Sequence, residues 1–497
     1  MENTYFCATK DGKLNRKRTI LTGFGFMASS IAWANYDPYI TKILERLLNA
    51  SATITHWSAE LNKAFPVLAK FAESQGESVV GADGGITLVP LFIGIIMTFD
   101  NIFGVIFQPT FGKLSDRCHS KLGKRRPFIV FGAPASAFLF AVIPWVALSG
   151  SLPLTMLFII LFVFSMSLWR APVVALMPAL TPPSLRSEGN AIINLMGGIG
   201  SAIGMFAGTI VGVIYTFFTK VEITTENEQV AFPYVFLTGS IVMIIGMLVI
   251  LFFVKEPSSK LEAVAEHNMA MDAAARAKAE KEAKKAEKAE RKAQKLSKGE
   301  RKSLIFMLGG LFFLFCGTNA ITTFFALFAA EVLGKTTAEA TIMTTLFAVC
   351  SAVAAIPAGY MGKKLGRKKT ILIGLVVFMA VFALYVATGS FALIWVALVL
   401  GGFANMLITV NTLPLVLEIG GIDKVGTFTG YYYTATFSAQ IASPIVYGIV
   451  RMISGTYLSL FIYTPVMFAL SILCILFVKP GEAVPDDIIK AAKEAED

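Results

Sequence analysis

The feature that most constrains this chain is a succession of apolar runs, each about as long as the ~20 helical residues needed to cross a bilayer core of about 30 Å. They fall near 19–40, 86–111, 127–148, 153–178, 190–217 and 232–254, and again near 303–330, 338–361, 370–387, 390–417, 426–450 and 457–478. Inside lipid every backbone polar group must be satisfied within its own segment, so runs of this length read as helices. The expected fold is all-α and membrane-embedded, with twelve transmembrane helices. Composition agrees: 55% of the 497 residues are apolar and 15% charged, where a soluble chain carries about a quarter charged residues. The net charge of +10 sits in short segments between apolar runs, so no nucleic-acid surface is expected.

Loop charge sets the expected orientation. Lys113, Arg117, Lys121, Lys124, Arg125 and Arg126 lie between runs 2 and 3, and Lys363, Lys364, Arg367, Lys368 and Lys369 between runs 8 and 9, which assigns both loops to the cytoplasm. The acid-bearing segments 49–85 and 219–231 are then outside and both termini inside, as in a multi-pass protein of the cytoplasmic (inner) membrane. Residues 255–302 turn to Ala, Lys and Glu and read as a charged cytoplasmic helix. That divides the chain into an N-terminal six-helix bundle (1–254), a linker (255–302) and a C-terminal bundle with a short tail (303–497). The five cysteines imply no disulfide framework.

Gly112-Lys-Leu-Ser-Asp-Arg-Cys-His-Ser-Lys-Leu-Gly-Lys-Arg-Arg-Pro127 is echoed six runs later by Gly359-Tyr-Met-Gly-Lys-Lys-Leu-Gly-Arg-Lys-Lys369. Such an echo is the residue of a duplicated six-span unit, and repeats of this kind form a midplane cavity whose access alternates. The first copy resembles the loop motif of the major facilitator superfamily, in the form found in the sucrose-transporter-like branch of the glycoside–pentoside–hexuronide cation symporter group. Asp100-Asn101 before Gln108-Pro109, Ala175 to Pro182, Asn190 to Asn194, Asn319 to Phe325 and Thr429 to Tyr433 extend the resemblance over nearly the whole chain outside 255–302. It implies the major facilitator fold and a proton-coupled symporter of sugars, glycosides or oligosaccharides that works by alternating access as a monomer. An exporter of drugs or organic cations and an uncoupled sugar facilitator are the alternatives. A channel or a non-transporting sugar receptor in a transporter scaffold is a third.

Ionisable residues inside spans are costly and default to a functional reading. Asp100 and Arg170 are the candidates for cation coupling: Asp100 lies ~18 Å above Gly112 along a helix, and Arg170 can pair with it or donate to a sugar hydroxyl. The alternative for both is a structural contact between helices. In the resembling sucrose/proton symporters the span-4 arginine would stand at Val174, one turn on. Asp37, in Trp33-Ala-Asn-Tyr-Asp-Pro-Tyr39, is placed towards the outer end of span 1, where Pro38 suggests an interrupted helix that aims Trp33, Asn35 and Tyr36 at a cavity; an interfacial aromatic belt is the alternative. Asn101, Asn190, Asn194, Asn319, Thr322, Asn405, Asn411, Tyr432 and Gln440 complete an uncharged polar lining suited to sugars, although any amide can instead join two helices. Asp116, Arg117, Arg125, Arg126 and Glu418 read as gating residues, because charge pairs formed in one state bias a two-state equilibrium.

The paired acids of resembling sodium symporters would fall at Gly104 and Gln108, so a proton is the expected coupling ion and sodium the lesser candidate. Ala179 and Thr322 stand where relatives of the resembling branch carry acids, which leaves Asp100 as the main titratable group and leaves weak or absent coupling open. No cofactor or metal is expected, and an enzyme is not: there is no P-loop, zinc spacing or nucleophile elbow.

Overall fold

The computed structural model describes residues 5–9, 11, 13–76, 85–118, 120, 122–182, 185–256, 298–420 and 425–478. The charged segment expected over 255–302 therefore lies, apart from its two ends, outside the described residues, as does the tail beyond 478. Among the described residues the chain is helical, and twelve long helical elements follow one another. Span 1 is Arg16–Asn49, span 2 is Val89–Asp116, span 3 is Arg126–Leu148, span 4 is Leu152–Leu180, span 5 is Arg186–Thr219 and span 6 is Phe232–Phe253. Spans 7 to 12 are Lys298–Leu333, Thr337–Leu365, Arg367–Thr388, Phe391–Gly420, Val425–Ser454 and Leu460–Leu476.

Ten of the twelve are long and apolar enough to cross a membrane. Spans 1 and 11 are long enough, at 34 and 30 residues, but more polar. Span 1 carries Asp37, Lys42, Glu45 and Arg46, and span 11 carries Tyr431 to Tyr433, Gln440 and Arg451. Helices that hold polar groups among their neighbours need less lipid-facing apolar surface, which accounts for the difference.

Two expectations about helix breaks change. Span 1 runs unbroken through Pro38 to Asn49. A proline inside a membrane helix is tolerated when neighbouring helices accommodate the freed carbonyl, so Asp37 lies three turns inside the helix rather than at its outer end. The interruption falls in span 2 instead. There one helix ends at Met97 and the next begins at Phe99, with the Thr98 hydroxyl turned back to the Ile95 carbonyl at 2.7 Å.

The chain separates into two compact units. The first is Met1–Arg291 with Thr323–Ile342 and Gly448–Tyr457; the second is Lys292–Thr322, Met343–Tyr447 and Leu458–Asp497. The first unit thus takes in the end of span 7, the start of span 8 and the end of span 11, beyond the division at 254 and 303 drawn from the sequence. Interlocking side chains and close backbones explain this. Glu228 bonds Thr337, Thr341 donates to the Met205 carbonyl at 2.9 Å, and Gly448 lies so close to Pro90 that a Cβ there would meet its carbonyl oxygen at 2.6 Å.

Within the first unit, span 1 is central. A Cβ on Gly200 would fall 2.2 Å from the Met27 carbonyl oxygen, so spans 1 and 5 approach backbone to backbone, as small residues permit in membranes. Phe140 stacks on Phe162 at 4.9 Å and on Phe236 at 4.4 Å and fills the space between spans 3, 4 and 6. The second unit is sewn by hydroxyls that reach across to carbonyls: Ser443 to Cys316 at 2.6 Å, Ser471 to Gly310 at 2.8 Å and Ser351 to Gly402 at 2.9 Å. Such bonds replace the hydrophobic drive that lipid cannot supply between helices.

Candidate functional site

The site in the first unit is built on spans 1, 2 and 4. The rotation of span 4 is set by Trp169, 1% exposed, whose indole N–H donates to Ser136 at 3.0 Å while Ser136 bonds Ser165 at 2.9 Å. With Trp169 locked against span 3, the next residue, Arg170, is turned about 100° around the helix and faces span 1. Its guanidinium lies 5.3 Å from the Trp33 ring centre, within cation–π range. Trp33 meets Tyr36 edge-on at 5.3 Å, and Tyr36 stacks on Phe162 at 5.6 Å.

Two carboxylates complete the group. Asp37 and Asp100 interact electrostatically with each other and with Arg170, and Tyr36 senses both acids. Asp37, Asp100 and Arg170 are each half-buried. Asp100 sits in the first turn of the helix that restarts after Thr98, where the positive helix end suits a carboxylate. It accepts the Asn101 backbone N–H at 2.7 Å and the Asn101 amide at 3.0 Å. Two acids thus share one base. Around them the Trp33 Nε1 and the Tyr36 hydroxyl are buried without a hydrogen-bond partner. Buried polar atoms are rarely left so, and here both belong to aromatic rings flanking the charged group.

The other sequence candidates divide. Asn35, read as part of the lining, is fully buried between Gly204 and Gly239 and donates to the Val235 carbonyl at 3.4 Å, so its amide joins helices. Asn411, 3% exposed, donates to the Ala358 and Leu407 carbonyls at 3.2 and 2.9 Å and serves span 8–span 10 packing. Both turn inward where a glycine leaves room and a helix carbonyl lies within reach. Asn190 and Asn194 of span 5 are exposed on one face of the first unit. In the second unit Asn319 has an unpartnered buried amide nitrogen, Thr322 is exposed and bonds the Asn319 carbonyl at 3.0 Å, Asn405 and Gln440 are half-buried, and Tyr432 is buried edge-on to Phe315.

The loop residues form two charge clusters. Arg125 binds Asp116 at 2.6 Å, and the carboxylate of Glu256, just past span 6, accepts the backbone N–H of Arg125 at 3.0 Å and of Arg126 at 3.3 Å. Arg126 also donates to the Leu251 carbonyl, while Arg117 closes the end of span 2. Burial pushes the Glu256 carboxyl above its ordinary range, and the two N–H groups oppose that rise. In the second unit Arg367 binds Glu418 at 2.6 Å. Asp116 and Arg125 close one pair and Glu418 and Arg367 the other, with Arg367 standing in the second copy of the basic loop.

Glu256 was not a sequence candidate. It follows the last residue of span 6, Phe253, by three positions, where a charge ordinarily marks solvent. Gly123 has φ +104°, and a Cβ there would meet a Glu256 oxygen at 2.1 Å. Gly123→Ala is therefore expected to expel the carboxylate, at a cost of about 1–3 kcal/mol. Faster proteolysis within 118–125 should check this, with Glu256→Ala giving the same pattern. Equal proteolysis of parent and both variants would deny the role of Glu256.

Comparisons with known proteins bear on the family and the fold. Residues 86–465 match the family model described as MFS/sugar transport protein. An uncharacterized MFS-type transporter of Schizosaccharomyces pombe is 28% identical over 149 residues, which is 30% of this chain and 33% of that relative's length. Among solved structures, a D-xylose-proton symporter superposes with a TM-score of 0.57 at 14% identity, covering 93% of this chain and 96% of its own. A nucleoside transporter follows at 0.55 and 15%, covering 93% and 100%, and a peptide transporter at 0.54 and 12%, covering 96% of each chain. At these identities the structural likeness establishes the major facilitator fold alone. With the family model matched over more than half of its length, the chain belongs to the MFS/sugar transport protein family.

Proposed function

We propose that the protein is a proton-coupled sugar symporter that works by alternating access, with Asp37, Asp100 and Arg170 as the coupling group. The observation that carries this reading is one guanidinium stacked on Trp33 and electrostatically coupled to two half-buried carboxylates, beside an indole and a phenol whose polar atoms lack partners. With both acids ionised the group holds one negative charge in excess, and one proton neutralises it. Neutralisation leaves Arg170 a single ionised partner and lowers the cost of moving the group through low dielectric.

A sugar satisfies the rest. Its hydroxyls accept from the Trp33 Nε1 and exchange hydrogen bonds with the Tyr36 hydroxyl, while the ring face of Trp33 covers C–H surface. In this reading the loop charges favour both termini in the cytoplasm of an inner-membrane protein, with the 1–2 and 5–6 connections outside. An organic-cation exporter has less support, because the charge of Arg170 already offsets part of the negative charge that a cationic ligand would need.

A thermal-shift screen of mono- and disaccharides on the purified protein tests the reading, since a ligand stabilises the folded state by mass action, by about 2.7 kcal/mol at a hundredfold excess over Kd. At least one sugar should raise the melting temperature of the parent, and Trp33→Ala should remove that rise. No shift with any sugar at saturating concentration would count against a sugar site.

A further inference from the structure

Glu228 lies in the turn before span 6 and is 2% exposed. Its carboxyl accepts the backbone N–H of Thr337, the first residue of span 8, at 2.6 Å, and bonds the Thr337 hydroxyl at 3.1 Å. All of these residues belong to the first unit. The side chain therefore joins the first half of the sequence to the second at the end proposed above to be outer.

The charges around it are already committed. From span 1, Lys42 binds Glu45 at 2.8 Å; from spans 7 and 11, Glu331 and Arg451 bind each other at 2.7 Å; at the start of span 8, Lys335 binds Glu339 at 2.9 Å. Arg46 is turned to Gln229 at 2.6 Å, Glu222 is exposed, and Tyr39 brings a neutral phenol. Span 5 offers no ionisable side chain to this wall. Lys42, Lys335 and Arg451 each have their own acid and Arg46 is turned to a neutral amide; among the described residues no base lies within ion-pair distance of Glu228. Its compensation is the Thr337 N–H and hydroxyl, the positive end of span 8 and the longer-range field of Lys42, which is itself bonded to Glu45.

A neutral carboxylic acid satisfies the same geometry: one oxygen accepts the Thr337 N–H and the other, protonated, donates to the Thr337 hydroxyl, which accepts as readily as it donates. A cavity of about 800 Å³, lined by Glu228, Tyr39, Gly208, Thr336 and Glu339, offers water a route to the carboxyl. We propose that Glu228 is a proton-binding site distinct from the Asp37–Asp100–Arg170 group, and that it takes up its proton when the outer ends of spans 5, 6 and 8 close.

The balance is one proton bound per closure and released on opening, when the carboxyl returns to water. A buried carboxyl with no base is favoured neutral, and a solvated one ionised. External acid therefore holds this end shut, and external alkali frees it. The proposal rests on the alternating-access reading but not on the identity of the substrate.

The test uses the full chain, free of its native cysteines, with a reporter at Thr341→Cys, a position 3% exposed one turn beyond Thr337. In right-side-out vesicles without sugar, labelling by a membrane-impermeant maleimide is measured against external pH. Glu228→Gln, which mimics the neutral acid, carries the same reporter and corrects for the pH dependence of thiol chemistry. The labelling ratio of parent to Glu228→Gln should approach unity in acid and rise roughly tenfold towards alkaline pH, the change that one site titrating over one unit allows. A ratio independent of pH would overturn the proposal. So would faster labelling of Glu228→Gln throughout, which would make Glu228 a fixed anionic cap. Absent sugar binding in the thermal-shift screen would leave this result untouched, so the two readings fail separately.

Discussion

Asp100→Asn is expected to abolish concentrative uptake while leaving exchange of sugar across the membrane close to the parent rate. With one proton per sugar, a pH gradient of one unit supports an accumulation of about tenfold, since one unit corresponds to about 1.36 kcal/mol. The variant should equilibrate sugar and stop there. The reason is local: an asparagine keeps an oxygen for the Asn101 backbone N–H, now 2.7 Å from Asp100, but cannot exchange a proton. Arg170 then keeps Asp37 as a permanent partner, and the group no longer changes charge during the cycle. Accumulation and counterflow measured in the same vesicles separate this outcome from simple misfolding. Undiminished accumulation in Asp100→Asn would remove Asp100 from the coupling group.

The second large effect is on stability and comes from a pair outside that group. Arg451 and Glu331 are bonded at 2.7 Å with side chains 2% and 8% exposed, and Glu331 also accepts the Thr456 hydroxyl at 2.8 Å and the Tyr457 N–H at 2.6 Å. Arg451 lies over the Tyr457 ring at 4.4 Å. Removing one member of a buried pair strands the other charge, at a cost of about 3–5 kcal/mol. Arg451→Ala should therefore melt well below the parent in detergent. Adding Glu331→Gln should recover part of the loss, because the stranded charge is gone and the two effects are not additive. If Arg451→Ala melts with the parent, the pair contributes no net stability and the first unit is held by packing alone.

How much of this was legible in the sequence depends on how far each feature could be read from neighbours along the chain. Run length and hydropathy are local, and they placed the helical elements. Asp100 and Arg170 stood out as single charges flanked by apolar residues, and the structure brings both to the same place. Asp37 was found but placed too near the membrane surface, because Pro38 was read as a break where helix neighbours absorb it. The break at Thr98 carries neither proline nor glycine and had no such signal.

The residues missed share one cause. Glu331 and Arg451 lie one position beyond the ends expected for spans 7 and 11, at 330 and 450, since a window that stops at the first charge hands that charge to solvent. Each is buried because the other is present 120 positions away, which a one-dimensional pattern cannot contain. The second half of the sequence is thus not confined to the amides, hydroxyl and tyrosine named for its lining. It supplies a buried ion pair to the first compact unit. Glu228 and Glu256 escaped for the same reason: one was read with the outer segment 219–231 and the other with the charged helix 255–302, and both cap a helix start distant in sequence. Asn35 and Asn411 show the converse, since an amide on a span looks alike in sequence whether it faces a ligand or, as the amide nitrogens of these two do, a neighbouring carbonyl.

The most direct measurement is of proton movement on addition of sugar to weakly buffered vesicles that hold the purified protein, with no imposed gradient. A sugar identified by thermal shift should alkalinise the external medium at about one proton per sugar taken up. The signal should vanish in Asp100→Asn while labelled sugar still enters. Entry of that sugar through the parent protein with no change in external pH would contradict proton coupling and leave an uncoupled facilitator.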